Sequence, residues 1–493
     1  MEDGKIVFGN GALLAIALYL VSMIGVGYYA RIKRKGNTMA DFYLAGRSLG
    51  MAVLFLTLYA TQYSGNTLFG YTGKSYLIGF EWTVSVLFMF SIILGYMLFA
   101  PRLVLLARQE DFITPGDYIS YRFKSRALTL ISTLLMIYAL CNYALAQLKA
   151  MGAAVEGITD GGVPSAYGIV FLAIIMVIYE TLGGMRSVAW TDVLQGVVLL
   201  VGFSIILVLV PQLGGGFSEV VERLYLIDPD KLTVPEWTGT NKWLSYVILL
   251  GCGAAIYPQA IQRLYASRSI KVLKRSLSWM AFMPLTTTLV ALVCGVTAIV
   301  VLPEIKEGRS DQVLARLLAL IMAGSELGYW LVVAVFAAAL AALMSTADSA
   351  LLSISSMFTR DIYLPYLRPD SSESHLTWVG KIFSWIMVAV LVYVAIVTDK
   401  TLVRLLELKF EVLIQVVPSF FFGLYWKRLQ SRTAIVGLVA GLVVALVLWW
   451  QGYSTLWGFH AGVIGLFVNC SICVVATYFL SANFVKAGDT NRA

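Results

Sequence analysis

Apolar residues in this chain come in long unbroken runs parted by short polar connections. The runs fall at about 12–30, 49–77, 82–106, 127–156, 164–183, 190–211, 243–264, 277–303, 329–358, 376–398, 402–425, 432–450 and 461–482. Most are about twenty residues or longer, which a helix rising ~1.5 Å per residue needs to cross the hydrocarbon core of a bilayer. The pattern predicts an all-α membrane protein with about 13 transmembrane helices. No polar stretch exceeds about thirty residues, too short for a separate folded domain, so residues 1–493 read as one transmembrane domain.

Two runs are interrupted at membrane depth. The second carries Ala60-Thr-Gln-Tyr-Ser-Gly-Asn-Thr67, and the seventh carries Gly251-Cys-Gly253 followed by Tyr257-Pro258-Gln259. Irregular backbone is tolerated there only where it lines a cavity or is buried in protein, because its free carbonyls need partners. With 12–30 set aside as a peripheral helix, the breaks occupy the first and sixth places of two sets of five helices. The sets span about 49–211 and 243–425, leaving 432–482 as two extra C-terminal helices. Matching breaks in two halves are the mark of inverted repeats with a binding site at the midplane.

The ninth run holds the densest polar cluster, Leu340-Ala-Ala-Leu-Met-Ser-Thr-Ala-Asp-Ser349. Residues three and four apart share a helix face, so Ser345, Asp348 and Ser349 converge, with Thr346 about a third of a turn away. Hard oxygen donors without histidine or cysteine suit a small alkali or alkaline-earth cation. The other reading has the hydroxyls bonded back to their own helix, with Asp348 protonated or paired with a buried base.

Composition narrows the class further. The chain is 59% hydrophobic and 13% charged, against roughly 25% charged in soluble domains. A formal charge of +8 would suit nucleic acid, but the basic residues lie in short clusters between spans. Arg31 to Lys35, Arg122 to Arg126, Arg263 to Arg275, Arg360/Arg368 and Lys427 to Arg432 all fall on one side when the spans alternate. The positive-inside rule then puts the N-terminus outside and the C-terminus in the cytoplasm of a plasma (inner) membrane. The first run is followed, not preceded, by its basic cluster, so it reads as a retained helix and not a cleaved signal. Two histidines and five cysteines without ligand spacing give no basis for a metalloenzyme, and no nucleotide-binding motif suggests a pump. No cofactor and no nucleic-acid partner is expected.

Taken together, these residues resemble the sodium:solute symporters, the group that contains proline, pantothenate, sialic acid and glucose carriers. The likeness covers almost the whole chain. It includes Ala60 to Gly65, Tyr179-Glu-Thr-Leu-Gly-Gly-Met-Arg-Ser187, Trp190-Thr-Asp-Val-Leu-Gln-Gly196, Ala342 to Thr346 and Gly423-Leu-Tyr-Trp-Lys-Arg428. Two departures are Glu180, where the family usually has a small or hydroxyl residue, and Thr433, where it usually has glycine. The resemblance implies a LeuT-type five-plus-five inverted repeat core and sodium as the coupling ion. Its sodium would be held by the carbonyls of Ala60, Tyr63 and Ala342 and the hydroxyls of Ser345 and Thr346. Some members bind a second sodium through an aspartate of the sixth span. Asp192 matches that position, with Ser345, Asp348 and Ser349 as its partners; alternatively Asp192 is a cap or ion-pair residue beside Arg186.

The solute is less defined. Lys149 lies well inside the fourth span, and a buried ammonium favours a carboxylate-bearing solute such as an amino acid or monocarboxylate. The alternatives for Lys149 are a snorkel to the outer surface or a pair with Glu156 or Asp348. Glu407, Lys409 and Glu411 of the eleventh span read either as an outer gate or as solvated helix ends. Gln62, Ser64, Asn66, Tyr143, Gln147, Tyr257 and Gln262 are candidates to hydrogen-bond the solute. The reading is sodium-coupled symport of a small organic solute into the cell. A solute sensor of the same fold and a proton-coupled carrier using Asp348 or Asp192 are the alternatives.

Overall fold

The computed structural model describes residues 7–34, 36–233, 235, 237–302, 305, 310, 312–398 and 409–489, and only the backbone of 66, 237, 238 and 480–489. It is built of helices: α1 (Asn10–Ile32), α2 (Met39–Leu44), α3 (Met51–Gln62), α4 (Gly65–Ile78), α5 (Val84–Gln109), α6 (Pro115–Phe123), α7 (Arg126–Ile158), α8 (Ser165–Gly183), α9 (Met185–Gln212) and α10 (Phe217–Ile227). There follow α11 (Trp237–Ala255), α12 (Pro258–Ala266), α13 (Ile270–Met280), α14 (Met283–Val301), α15 (Val313–Gly324), α16 (Glu326–Met357) and α17 (Glu373–Val397). The chain ends with α18 (Val417–Tyr425), α19 (Ser431–Trp450) and α20 (Ala461–Asp489). A two-residue hairpin, β1 (Thr455–Leu456) with β2 (Phe459–His460), joins the last two.

Each of the thirteen apolar runs coincides with helix where it is described. Among the described residues, ten helical segments are long and apolar enough to cross a membrane unaided, or eleven if the bent pair α11 and α12 counts as one span. The two figures differ for physical reasons. The second run is split into α3, too short alone, and α4, which continues with the third run as one apolar segment over Thr67–Gln109, and the eleventh run begins at residues outside those described. Among the described residues, the connection before the ninth run contains α15, and the ninth run continues past Met357 as a π-helix over Phe358–Leu367.

Helix ends follow the local sequence. Ser125, Ser325 and Ser372 cap α7, α16 and α17 with their side chains, and Thr114 forms a capping box with Asp117 ahead of Pro115 in α6. The Gly-Gly-Met stretch makes the turn from α8 to α9. There Gly184 sits at φ +58°, and a side chain on it would meet the ring of Phe42 at 2.8 Å.

Helix α16 is the centre of the fold. Residues 338–357 are all buried, as expected for a helix apolar on every face. It packs against α9, α7, α3 and α12, so both broken spans touch it. At one end of the bundle the connections are tied together by basic side chains. Arg186 pairs with Asp41 (3.0 Å), Arg47 with Asp111 (2.7 Å) and Arg360 with Asp117 (2.9 Å). Arg122 donates to the carbonyls of Gly423 (2.7 Å) and Trp426 (2.9 Å).

Candidate functional site

The break in the second span frees backbone that an unbroken helix would consume. Helix α3 ends at Gln62, Tyr63 is extended (φ −101°, ψ 102°), and α4 starts at Gly65. The last carbonyls of α3 therefore lack intrahelical partners. One of them, Ala60 O, accepts a hydrogen bond from Ser345 Oγ at 2.8 Å, and the same hydroxyl lies 3.3 Å from Ala342 O. Gly65 permits the close approach, since a side chain there would run into Leu343. Thr346 Oγ1 is buried and makes no hydrogen bond of normal geometry among the described residues. Two carbonyls and the Ser345 hydroxyl thus meet where α3 touches α16. The orphaned hydroxyl of Thr346 follows Ser345 in the chain, and the Tyr63 carbonyl stands at the break. This neutral oxygen set fits a desolvated monovalent cation.

One turn along α16 lies a charged cluster. Arg263, on α12, has no exposed side-chain surface and pairs with the equally buried Asp192 of α9 at 2.9 Å. Its Nε donates to Thr57 Oγ1 at 2.7 Å, its Nη1 to Gln259 O at 3.1 Å, and its Nη2 also to Ser349 Oγ. Thr57 in turn donates to Asp192, and Ser349 to the carbonyl of Ser345. Thr61 Oγ1 is 3.1 Å from Ser349 Oγ. Asp348 accepts from Tyr179 Oη at 2.5 Å and, with its other oxygen, from Ser349 Oγ at 3.2 Å. Asp192 and Ser349, two of the four residues matched to a second sodium, therefore converge on a guanidinium. The alternative partner of Asp192, Arg186, instead pairs with Asp41.

The solute candidates divide. Tyr143 of α7 and Tyr257, the residue at the α11–α12 break, stack with ring centroids 5.5 Å apart and planes 16° from parallel. The Tyr143 hydroxyl lies beside those of Ser64 and Thr346, which joins this pair to the oxygen set. Gln147 is one turn on from Tyr143, with its amide to Tyr143 O at 3.5 Å. Gln62 receives a long bond from Tyr96 Oη (3.4 Å), which also donates to Ala254 O (3.0 Å) near the seventh-span break. Two candidates lie elsewhere. Lys149 Nζ donates to Thr398 O, beyond the end of α17, at 2.5 Å, because its long stem carries the ammonium to a free helix-end carbonyl. Gln262 is engaged by Ser353 (2.6 Å) and Ser356 in the contact between α12 and α16. The side chain of Asn66 and all of Glu407 lie outside the described residues.

The sequence groups Arg263 with the basic cluster after the seventh span and offers Lys409 as an outer gate or a solvated helix end, whereas both are buried. Lys409 is 2% exposed, with Nζ 3.4 Å from the Tyr143 ring centroid, 4.7 Å from Phe410 and 5.4 Å from Tyr257. Neither Arg263 nor Lys409 carries a signal within its own segment, because a basic residue near the end of an apolar run reads the same whether its stem reaches the surface or points inward.

The fold and sequence have known counterparts. A sequence model of the sodium:solute symporter family matches residues 42–441. The chain is 27% identical to the sodium/pantothenate symporter of Haemophilus influenzae over 461 residues, covering 91% of this chain and 92% of that one. It is 26% identical to the sodium/proline symporter of Salmonella typhimurium over 493 residues, 96% of each. Among solved structures, a Na+-coupled sialic acid symporter in a substrate-bound outward-open state superposes with a TM-score of 0.83 at 21% identity, over 96% of this chain and 98% of that one. A nucleobase-cation-symport-1 family transporter in a closed conformation gives 0.58 at 14% identity, over 90% and 95%. The fold is thus the LeuT-type five-plus-five arrangement, in a multi-pass membrane protein whose relatives are symporters and not enzymes. With the family sequence model covering most of its length, the chain belongs to the sodium:solute symporter family, whose members couple solute movement to sodium.

Proposed function

We propose that this chain carries a small carboxylate-bearing solute into the cell together with sodium, held by Ala60, Tyr63, Ala342, Ser345 and Thr346. The observation that carries the reading is the Ser345 hydroxyl bonded to the Ala60 carbonyl across the second-span break. That bond across the α3–α16 contact supports Ser345 as a residue through which an ion would tie α3 to α16. Sodium adding the Tyr63 carbonyl and the Thr346 hydroxyl would favour the state in which α3, α4 and α16 are docked. Tyr143, beside Ser64 and Thr346, would communicate that docking to the solute. An ion that binds one state better than the other shifts the equilibrium by its difference in affinity, and this links the two fluxes.

The repeats are proposed at about 49–211 and 243–425, with the C-terminus in the cytoplasm. The ties among Arg47, Arg122, Arg186, Arg360 and their partners at one end of the bundle support that orientation. With the Arg263 guanidinium between Asp192 and Ser349, the reading takes one sodium per cycle.

The test is thermal stabilisation of the purified full chain by sodium, with potassium as the control. Stabilisation by sodium alone that Ser345→Ala reduces supports the site. Equal stabilisation by both ions, or by the variant as by the wild type, overturns it.

A further inference from the structure

Three arginine or lysine side chains are buried among the described residues: Arg186, Arg263 and Lys409. The first two each face a carboxylate, Asp41 and Asp192 respectively. Lys409 instead faces rings, those of Tyr143, Phe410 and Tyr257. Ring faces return only part of the hydration that an ammonium gives up on burial, whereas an opposite charge returns far more.

The polar groups around this ammonium are also incompletely used. Tyr257 Oη and Gln147 Oε1 are buried and without hydrogen bonds among the described residues, on side chains 4% and 1% exposed. Native proteins seldom leave such groups unpaired unless a ligand or water completes them. Tyr257 is one of the rings that face the cation, and Gln147 lies one turn along α7 from Tyr143, another of them. Glu411, two residues from Lys409, is directed elsewhere, since its carboxylate accepts from the Gly462 amide. Asp192 and Asp348 are engaged by Arg263 and Tyr179.

We infer that Lys409 is the residue that selects the solute, and that the solute is a carboxylate bearing a net negative charge, without an ammonium group beside it. The carboxylate would take the Lys409 ammonium from the ring faces, Tyr257 Oη and Gln147 would hydrogen-bond its polar substituents, and the Tyr143–Tyr257 pair would bound its apolar body. A zwitterion is disfavoured because its ammonium would enter a site whose nearest charge is already positive. The inference rests on the symport reading above, and replaces Lys149, whose ammonium is directed to the Thr398 carbonyl, as the basic group facing the solute.

The experiment is thermal stabilisation and titration calorimetry on the purified full chain in sodium. The probes are acetate, lactate, pyruvate and pantothenate as monoanions, proline and alanine as zwitterions, and glucose as a neutral solute. Expected is stabilisation by at least one monoanion and by neither zwitterion nor glucose. The neutral primary amide of the best monoanion should bind about 30-fold or more weaker, as should the acid itself to Lys409→Gln. Sodium alone should still stabilise that variant, which shows it folded. Should Lys409→Gln fail to fold, the acid-against-amide comparison on the wild-type chain decides. Tighter binding of proline, alanine or glucose, equal binding of acid and amide, or no binding by any monoanion overturns the inference. Loss of sodium dependence with the acid-against-amide contrast intact overturns the symport reading instead.

Discussion

Arg263 and Asp192 face each other at 2.9 Å with no side-chain surface exposed on either. The pair stands one helical turn from Ser345, the residue that bonds to the broken second span. Its guanidinium also reaches Thr57, Ser349 and the Gln259 carbonyl. It is therefore a fixed internal cation joining α3, α9, α12 and α16.

Removing one member of this pair should cost more than removing both. Asp192→Asn leaves a buried guanidinium without its counter-charge, a loss of about 3–5 kcal/mol. The double variant Asp192→Asn with Arg263→Met should recover part of that loss. Thermal denaturation of the three proteins in sodium checks this, and a double variant no more stable than Asp192→Asn would count against it. With the guanidinium in place, the sodium dependence of uptake should follow a Hill coefficient near one.

The sodium set should respond separately from the solute set. Ser345→Ala and Thr346→Ala each remove a neutral ligand, which should raise the sodium concentration for half-maximal uptake about tenfold, equivalent to ~1.4 kcal/mol. Solute affinity at saturating sodium should stay within a few-fold of wild type. Uptake kinetics at several sodium concentrations separate the two effects.

How much of this was legible in the sequence depends on whether a residue acts within its own segment. The breaks at Tyr63-Ser64 and Tyr257-Pro258 show in the chain because glycine, proline and polar residues at membrane depth have few other uses. Ser345 shows because it belongs, with Thr346, Asp348 and Ser349, to a polar cluster in an otherwise apolar run. Arg263 and Lys409 do not. A basic residue near the end of an apolar run looks the same whether its stem bends to the surface or points inward, and only the packing of other helices decides. Lys149 shows the converse: it lies deep in its run, yet its side chain ends at the Thr398 carbonyl.

The turn of the Gly-Gly-Met motif should tolerate no side chain. Gly184 combines φ +58° with a Cβ position against Phe42. Gly184→Ala therefore adds backbone strain of about 1–3 kcal/mol to a steric clash. A lowered melting temperature is expected, with sodium affinity of the folded fraction unchanged.

His460, in the hairpin outside the membrane spans, gives a pH dependence of defined sign. Burial, with the nearby positive charges of Lys242 and Lys74, pushes its pKa down to about 4, while its Nδ1 lies 2.7 Å from Ser245 Oγ. The unfolded chain takes up a proton near pH 6.5 and the folded one resists it. The stabilising contribution is thus complete above about pH 6.5 and is lost as pH falls from there toward 4. His460→Gln, which keeps a hydrogen-bonding side chain, should flatten the fall in melting temperature over that window.

The single sodium and the anionic solute together set the electrical character of transport. A lone sodium ion crossing with a neutral or zwitterionic solute moves one positive charge, worth ~2.3 kcal/mol per 100 mV. A monoanion bound at Lys409 cancels that charge, because Lys409 and Arg263 remain with the protein. Uptake into proteoliposomes should then respond to the sodium concentration gradient and be unaffected by a potassium-diffusion potential imposed with valinomycin. A current inward with uptake, amounting to one positive charge per solute, would show that a second cation crosses despite Arg263, or that the solute is not an anion. Measuring the sodium Hill coefficient on the same preparation separates those two outcomes: a value near two indicts the reading of Arg263, and a value near one that of Lys409.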